Sequence, residues 1–388
     1  DKVRLSRDAL LSRFCKVDES GSFRSDLSAG DLFLRCIQTF VLERIGVATA
    51  AIGSAKVALF VAMKYAGARH QFGPDGVVEV PLISYPMHRR RLLSHASRLF
   101  VAKALVDRIG ESAEATFRPY ELDANRKALH ALSCMAKAFG CWEAFAAAQE
   151  ARECCGGHAF AAVSQIGMIR NDLDVTLTFA GDNSLLALEV VRFRLKQVKE
   201  WPLVKQLKGP ARPLFWSISL TDSNHPAKLM QKVAKALVFR EESMLLMVGK
   251  KMRGSEEGRF DRFTRNSYDM REVASAVYDR MCVTTWLERH LASRSVLLDE
   301  IGMLDAMLRI EKRASWYMAQ GLMSASTLKS IEGIISILCD RLGEKYEEVM
   351  SALCVPAKLV ENWPLVHDDY CQRMRDLTYP CPVDTRES

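Results

Sequence analysis

Apolar positions recur at helical spacing along most of the chain. Over 28–67 there is no proline, and Leu34, Ile37, Val41, Ile45 and Ala48 share one face, which predicts one long helix with Gly46 and Gly53 as possible kinks. The same period predicts helices over 88–108, over 123–150 through Leu129, Leu132, Ala136, Phe139, Trp142 and Phe145, and over 182–200 with Asp182 or Asn183 as N-cap. Pro202, Pro210, Pro213 and Pro226, with Gly209, then crowd the chain more densely than a helix interior tolerates, and a boundary is expected there. Beyond it, Pro226 opens a helix to 250 carrying Leu229, Val233, Leu237, Met244 and Val248 on one side. Further helices are expected over 260–290, 297–320, 327–342 with Gly343 as a stop, and 344–353. Almost nothing alternates with the period of a strand, so the expected fold is all-α: two helical bundles in series.

Composition narrows the function classes. With 49% hydrophobic residues in 388, the chain is globular, and roughly 150 residues per domain suggests two packing units. Its 54 Lys+Arg and 47 Asp+Glu give a net charge of +7, mixed in sign along the chain, so a dedicated nucleic-acid binder is not expected. Eleven cysteines, odd in number and without a Cys-x-x-Cys pair, fit reduced thiols in an intracellular compartment. The first residues show no apolar core and cleavage site of a secretory signal. The stretch 46–67 is long enough to span a membrane, but Lys56, Lys64 and its many small residues favour a buried helix, so no membrane span is expected.

Local motifs name no reaction: there is no phosphate-binding Gly-rich loop, no Gly-x-Ser-x-Gly, no His-Glu-x-x-His and no calcium loop. Three segments stand out. In Cys154-Cys155-Gly156-Gly157-His158-Ala159-Phe160 the glycines let backbone approach a ligand closely, or simply end a helix. In Arg69-His70-Gln71-Phe72-Gly73 an arginine after a long apolar helix either grips a phosphate beside an aromatic ring or satisfies the helix C-terminus. In Thr178-Phe179-Ala180-Gly181-Asp182-Asn183 a turn enters a helix, as an anion site or a plain capped start.

Taken in this order, and with residues 1–14, Arg152–Phe160 and Ile169-Arg170-Asn171-Asp172, these segments resemble the acyl-CoA oxidases, of the plant peroxisomal type, up to about residue 199. The resemblance implies a fold, an activity and partners. Residues 1–26 would be the end of a middle β-domain and a loop, 27–200 a first C-terminal helical bundle on the FAD and acyl-CoA side, 201–225 a Pro-rich linker, and 226–388 a second bundle and tail. Family members carry a helical domain and a β-domain ahead of this portion, so the chain is expected to be a fragment or to work with something that supplies that half. The implied reaction is oxidation of an acyl-CoA across Cα–Cβ with FAD, electrons passing to O2, in a homodimer of the peroxisome; the terminal Arg386-Glu387-Ser388 does not look like a peroxisomal signal.

By the same resemblance, Arg69 and Phe72 meet the FAD of the neighbouring subunit, Gly156 and Gly157 approach its diphosphate, and Asp182 and Asn183 lie beside the flavin. Ala159 replaces a usual third glycine. Ala180 stands where the family has the glutamate that removes the α-proton, and alanine cannot take a proton. Some relatives in the wider superfamily place the base on the long helix instead, and that position falls on Glu43, whose apolar neighbours would desolvate it; Arg44 would then face CoA. Glu43 as a relocated base and Glu43 as a glutamate on a solvated face both remain open, as does a catalytically impaired partner subunit with Ala180, native or introduced. The run His88-Arg89-Arg90-Arg91 is read as a solvated helix face in preference to one that meets CoA phosphates, and His130 and His158 as structural histidines.

Overall fold

A computed structural model describes residues 2–10, 12–37, 39–117, 124–197, 218–253, 258–290 and 295–378. Among the described residues the chain is helical almost throughout, as the apolar periodicity predicts. Two short antiparallel pairs precede and interrupt the helices: β1 (Lys16–Val17) with β2 (Phe23–Arg24), and β3 (His70–Gln71) with β4 (Val80–Pro81). The first half contains α1 (Ala29–Ile37), α2 (Thr39–Ala68), α3 (Pro86–Phe117), α4 (Ala124–Cys154), α5 (Ile166–Val175) and α6 (Asn183–Gln197). The second contains α7 (Pro226–Lys251), α8 (Arg259–Arg265), α9 (Ser267–His290), α10 (Val296–Glu311), α11 (Ala314–Ala319), α12 (Ala325–Glu344), α13 (Tyr346–Ala352), α14 (Ala357–Val360) and α15 (Tyr370–Thr378).

The centre of the first half is α2, whose small residues let neighbouring helices approach closely. Ala48, Ala51, Ala55, Ala58 and Ala62 are buried, and α2 packs along α4 and α3. Gly140 of α4 shows how close this is: a Cβ there would lie 3.4 Å from the Ala48 methyl. The 29–68 run is long and apolar enough to cross a membrane by length and composition, but in this fold α3, α4 and α5 cover its apolar face.

In the second half α7 packs on α9 and α10 on α12, while α3 also touches α9, α10 and α12. One apolar core therefore runs from Val41 to Met374. Buried ions cross it: Arg309 donates to Asp305 at 2.7 Å and Asp279 at 2.9 Å, Arg240 to Asp279 at 3.0 Å, and Arg98 to Glu143 at 3.1 Å. Burial would raise the Asp279 carboxyl, but Arg309 and Arg240 outweigh it and hold it below its ordinary value.

The helix boundaries depart from the periodicity where local chemistry intervenes. Gly46 and Gly53 lie inside a continuous α2. The helix expected over 260–290 breaks at Asn266, whose side chain donates to the Arg262 carbonyl at 2.7 Å and caps α8. That expected over 297–320 breaks at Lys312–Arg313, and Gly343 lies within α12 rather than after it. Most of the Pro-rich segment, residues 201–217, falls outside the described residues.

Candidate functional site

The singled-out residues gather at the two ends of α2. At its C-terminal end the helix closes with the Arg69 N–H donating to the Tyr65 carbonyl at 2.8 Å, and the Leu82 N–H donates to the Arg69 carbonyl at 2.8 Å, which turns the chain into the β3–β4 hairpin. Gly73 is required there, because a Cβ would lie 1.8 Å from the Val78 carbonyl oxygen. From the other side α4 runs out at Cys154, and Gly156 adopts φ +59°, a left-handed conformation that favours glycine. A Cβ at Gly156 or Gly157 would meet nothing within 4 Å, so both face open space.

Together these elements line a cleft of about 520 Å3 that contains Arg69, Gly156, Gly157, Tyr65, His88 and His158. The Arg69 guanidinium is oriented by one bond, Nη1 to the Tyr370 hydroxyl of α15 at 2.8 Å. The Tyr65 hydroxyl and His158 Nδ1 lie 2.8 Å apart, and the rings of Tyr65, His158 and Tyr370 meet edge to face. Burial, then the Arg69 charge, lowers His158 below the usual imidazole value, and burial, then Arg91, lowers His88 to about 4. Burial pushes Cys154 up to about 12 and Cys155 well above its ordinary range. Ala159 is fully buried with its carbonyl accepting from Ser164 Oγ at 3.1 Å, so the core accommodates its methyl. Phe72 is exposed at the hairpin.

At the N-terminal end of α2 lies the turn between α5 and α6. Ala180 has φ +53° and Gly181 φ +103°, and both carbonyls are held by cations. Arg44 Nε donates to the Ala180 oxygen at 3.4 Å, and Lys137 Nζ donates to the Gly181 oxygen at 2.7 Å and to Asn183 Oδ1 at 2.9 Å. Asp182 caps α6, its Oδ1 accepting from the N–H groups of Ser184 at 2.9 Å and Leu185 at 3.1 Å.

Three sequence expectations change here. Arg44, expected toward CoA, turns inward to the Ala180 carbonyl, His130 and Cys134, and is only 9% exposed. Glu43, expected among apolar neighbours, is exposed, because the helix turns Val41 and Arg44 inward and leaves Leu42 and Glu43 outside. Asn183 is buried against Lys137, and its Nδ2 has no partner among the described residues. The arginine run is not a solvated face: Arg89 pairs with Asp340, Arg90 with Glu311, and Arg91 with Glu150 and Glu153, tying α3 to α12, α10 and α4.

The structure thus brings Arg69, Gly156 and Gly157 into one cleft, and Arg44, Ala180, Asp182 and Asn183 into another place. Arg44 and Arg69, the latter just past the end of α2, are 25 residues apart, roughly 37 Å at 1.5 Å per residue.

Residues 37–195 match the family model of the acyl-CoA oxidase C-alpha1 domain. The chain resembles the C-terminal portion of acyl-CoA oxidases. An acyl-coenzyme A oxidase-like protein of Mus musculus is 26% identical over 92% of the chain and 59% of its own length. The peroxisomal acyl-coenzyme A oxidase 2 of Arabidopsis thaliana is 32% identical over 55% of the chain and 30% of its own length. In fold, Arabidopsis thaliana acyl-CoA oxidase 1 superposes with a TM-score of 0.82 at 19% identity, over 100% of this chain and 60% of that one. Acyl-CoA oxidase-1 of Caenorhabditis elegans, complexed with FAD and ATP, gives 0.81 at 19% identity, over 100% and 58%. The chain therefore spans between about a third and three fifths of the acyl-CoA oxidases it matches.

Sequence reasoning missed Lys137, Tyr65 and Tyr370. Lys137 carried one signal, a lone cation within the apolar face of α4; Tyr370 carried none, being 301 residues from Arg69.

Proposed function

We propose that the chain supplies the C-terminal helical portion of an acyl-CoA oxidase-type flavoenzyme that converts acyl-CoA to trans-2-enoyl-CoA and passes the electrons to O2, giving H2O2, in peroxisomal fatty acid β-oxidation. The observation that carries this reading is the convergence of Arg69, Gly156 and Gly157 on one 520 Å3 cleft. A diphosphate needs a cation and bare backbone at close range, and these residues supply both. When bound, FAD would supply the acceptor for the hydride that leaves the acyl β-carbon.

The residues of this chain then have separate tasks. Arg69 holds the diphosphate, with Tyr370 fixing the guanidinium, and Gly156 and Gly157 leave it room. At the other end of α2, Phe40, Leu42, Phe179 and Leu185 are exposed around the Ala180 turn and offer an apolar surface to an acyl chain. Glu43, one residue from the arginine that touches Ala180, is the carboxylate proposed to take the α-proton. About 37 Å of helix separates Arg69 from that turn, which supports a reading in which two chains contribute to each flavin site, as a homodimer.

The test is peroxide release from a long-chain acyl-CoA by the chain joined to the N-terminal portion of its relatives. Glu43→Gln should lower turnover roughly 10²–10⁴-fold, and unchanged turnover excludes Glu43 as base. A second reading, a flavin-binding partner without its own base, is favoured by Ala180 and by the exposure of Glu43. It predicts bound flavin without peroxide in the homodimer.

A further inference from the structure

A second cleft, of about 230 Å3, lies between α3, α4, α9 and the α10–α11 junction and shares no lining residue with the Arg69 cleft. Four cations, Arg98, Arg271, Lys312 and Arg313, and three carboxylates, Glu143, Glu272 and Asp279, line it. All three carboxylates are already neutralised. Glu143 takes Arg98 at 3.1 Å, Glu272 takes Arg313 at 2.7 Å, and Asp279 takes Arg240 at 3.0 Å and Arg309 at 2.9 Å. That leaves Arg271 and Lys312, neither of which has a carboxylate within ion-pair distance among the described residues.

Both leftover cations are on the exposed side of the cleft, within reach of a solute. The Arg271 guanidinium lies over the Trp142 ring, 4.9 Å from its centroid, which aligns it without using its hydrogen-bond donors. Phe139 stacks on Tyr278 at 4.7 Å and meets Trp142 edge to face at 5.2 Å, giving the cleft an apolar wall. Burial, and then the Arg98 charge, lowers Lys312 below the ordinary lysine range, against the opposing pull of Glu143 and Asp279.

We propose that this cleft binds a multiply charged oxyanion of the phosphate class, held between Lys312 and Arg271, with any apolar part of the ligand against Trp142 and Phe139. The planar fork of Arg271 suits paired oxygens, and the Lys312 ammonium adds a point charge. The site is independent of the acyl-CoA oxidase reading, since none of its residues belongs to either end of α2.

The test is calorimetric titration of the full chain with inorganic pyrophosphate, in an Arg69→Met background so that the first cleft does not contribute. One saturable site is expected. Adding Arg271→Met and Lys312→Met, both at exposed positions, should weaken it at least about tenfold, since hydrogen bonds to charged groups are commonly worth a tenfold or more each. Absence of saturable binding in the Arg69→Met chain, or equal affinity after the two further substitutions with an unchanged circular dichroism spectrum, overturns the proposal.

Discussion

Lys137 is fully buried, and no carboxylate pairs with it among the described residues; its ammonium rests on the Gly181 carbonyl and the Asn183 amide oxygen. Such a cation is retained only where its bonds hold something in place, and here it fixes the turn that carries Ala180 at φ +53°. Lys137→Met keeps the bulk and leaves the buried Asn183 amide oxygen and the part-buried Gly181 carbonyl without this donor, so denaturant unfolding should show a loss of about 1–3 kcal/mol. His88 makes a second residue-scale prediction. Its imidazole is lowered from 6.5 to about 4, mainly by burial, so the unfolded chain binds more protons between those values. Stability should therefore fall as pH drops through that window, and His88→Gln should flatten the slope measured by thermal unfolding. The opposite slope, or one unchanged by the substitution, contradicts the burial argument.

Within the elements, glycines in helices divide by what stands opposite them. Gly46 in α2 faces open space, so Gly46→Ala should raise stability by roughly 0.5–1 kcal/mol through helix propensity alone. Gly302 in α10 would bring a Cβ to 2.1 Å from the Trp286 indole nitrogen, so Gly302→Ala should cost about 1–3 kcal/mol by overpacking, read in the same denaturation series. Sequence periodicity treats the two alike, which shows where it stops being informative. It located the long helices because their apolar faces repeat over many turns, as Val41, Ala48, Ala55 and Ala62 do in α2. It missed α5, a ten-residue helix with only Ile166 and Leu173 buried, and the breaks at Asn266 and Lys312, which depend on a side-chain cap and on packing. At the candidate site the motifs identified Arg69, Gly156 and Gly157, whereas Tyr65 and Tyr370 come from contacts distant in sequence. The inward turn of Arg44 and the outward turn of Glu43 were legible only once the helix phase was fixed by α4 and the α5–α6 turn.

For the molecule as a whole, the length of α2 sets the architecture of the site. It puts the Arg69 cleft and the Ala180 turn at opposite ends of one long, buried helix, and the flavin is proposed to take Arg69 from one chain and the turn from another. That account depends most on Arg69. The most direct measurement is flavin affinity, by absorbance and equilibrium dialysis, of the chain joined to the N-terminal portion of its relatives, with and without Arg69→Met. The account predicts about one flavin per chain and an affinity at least roughly tenfold weaker in Arg69→Met, with the helical content unchanged. Equal flavin affinity in the two proteins would contradict it.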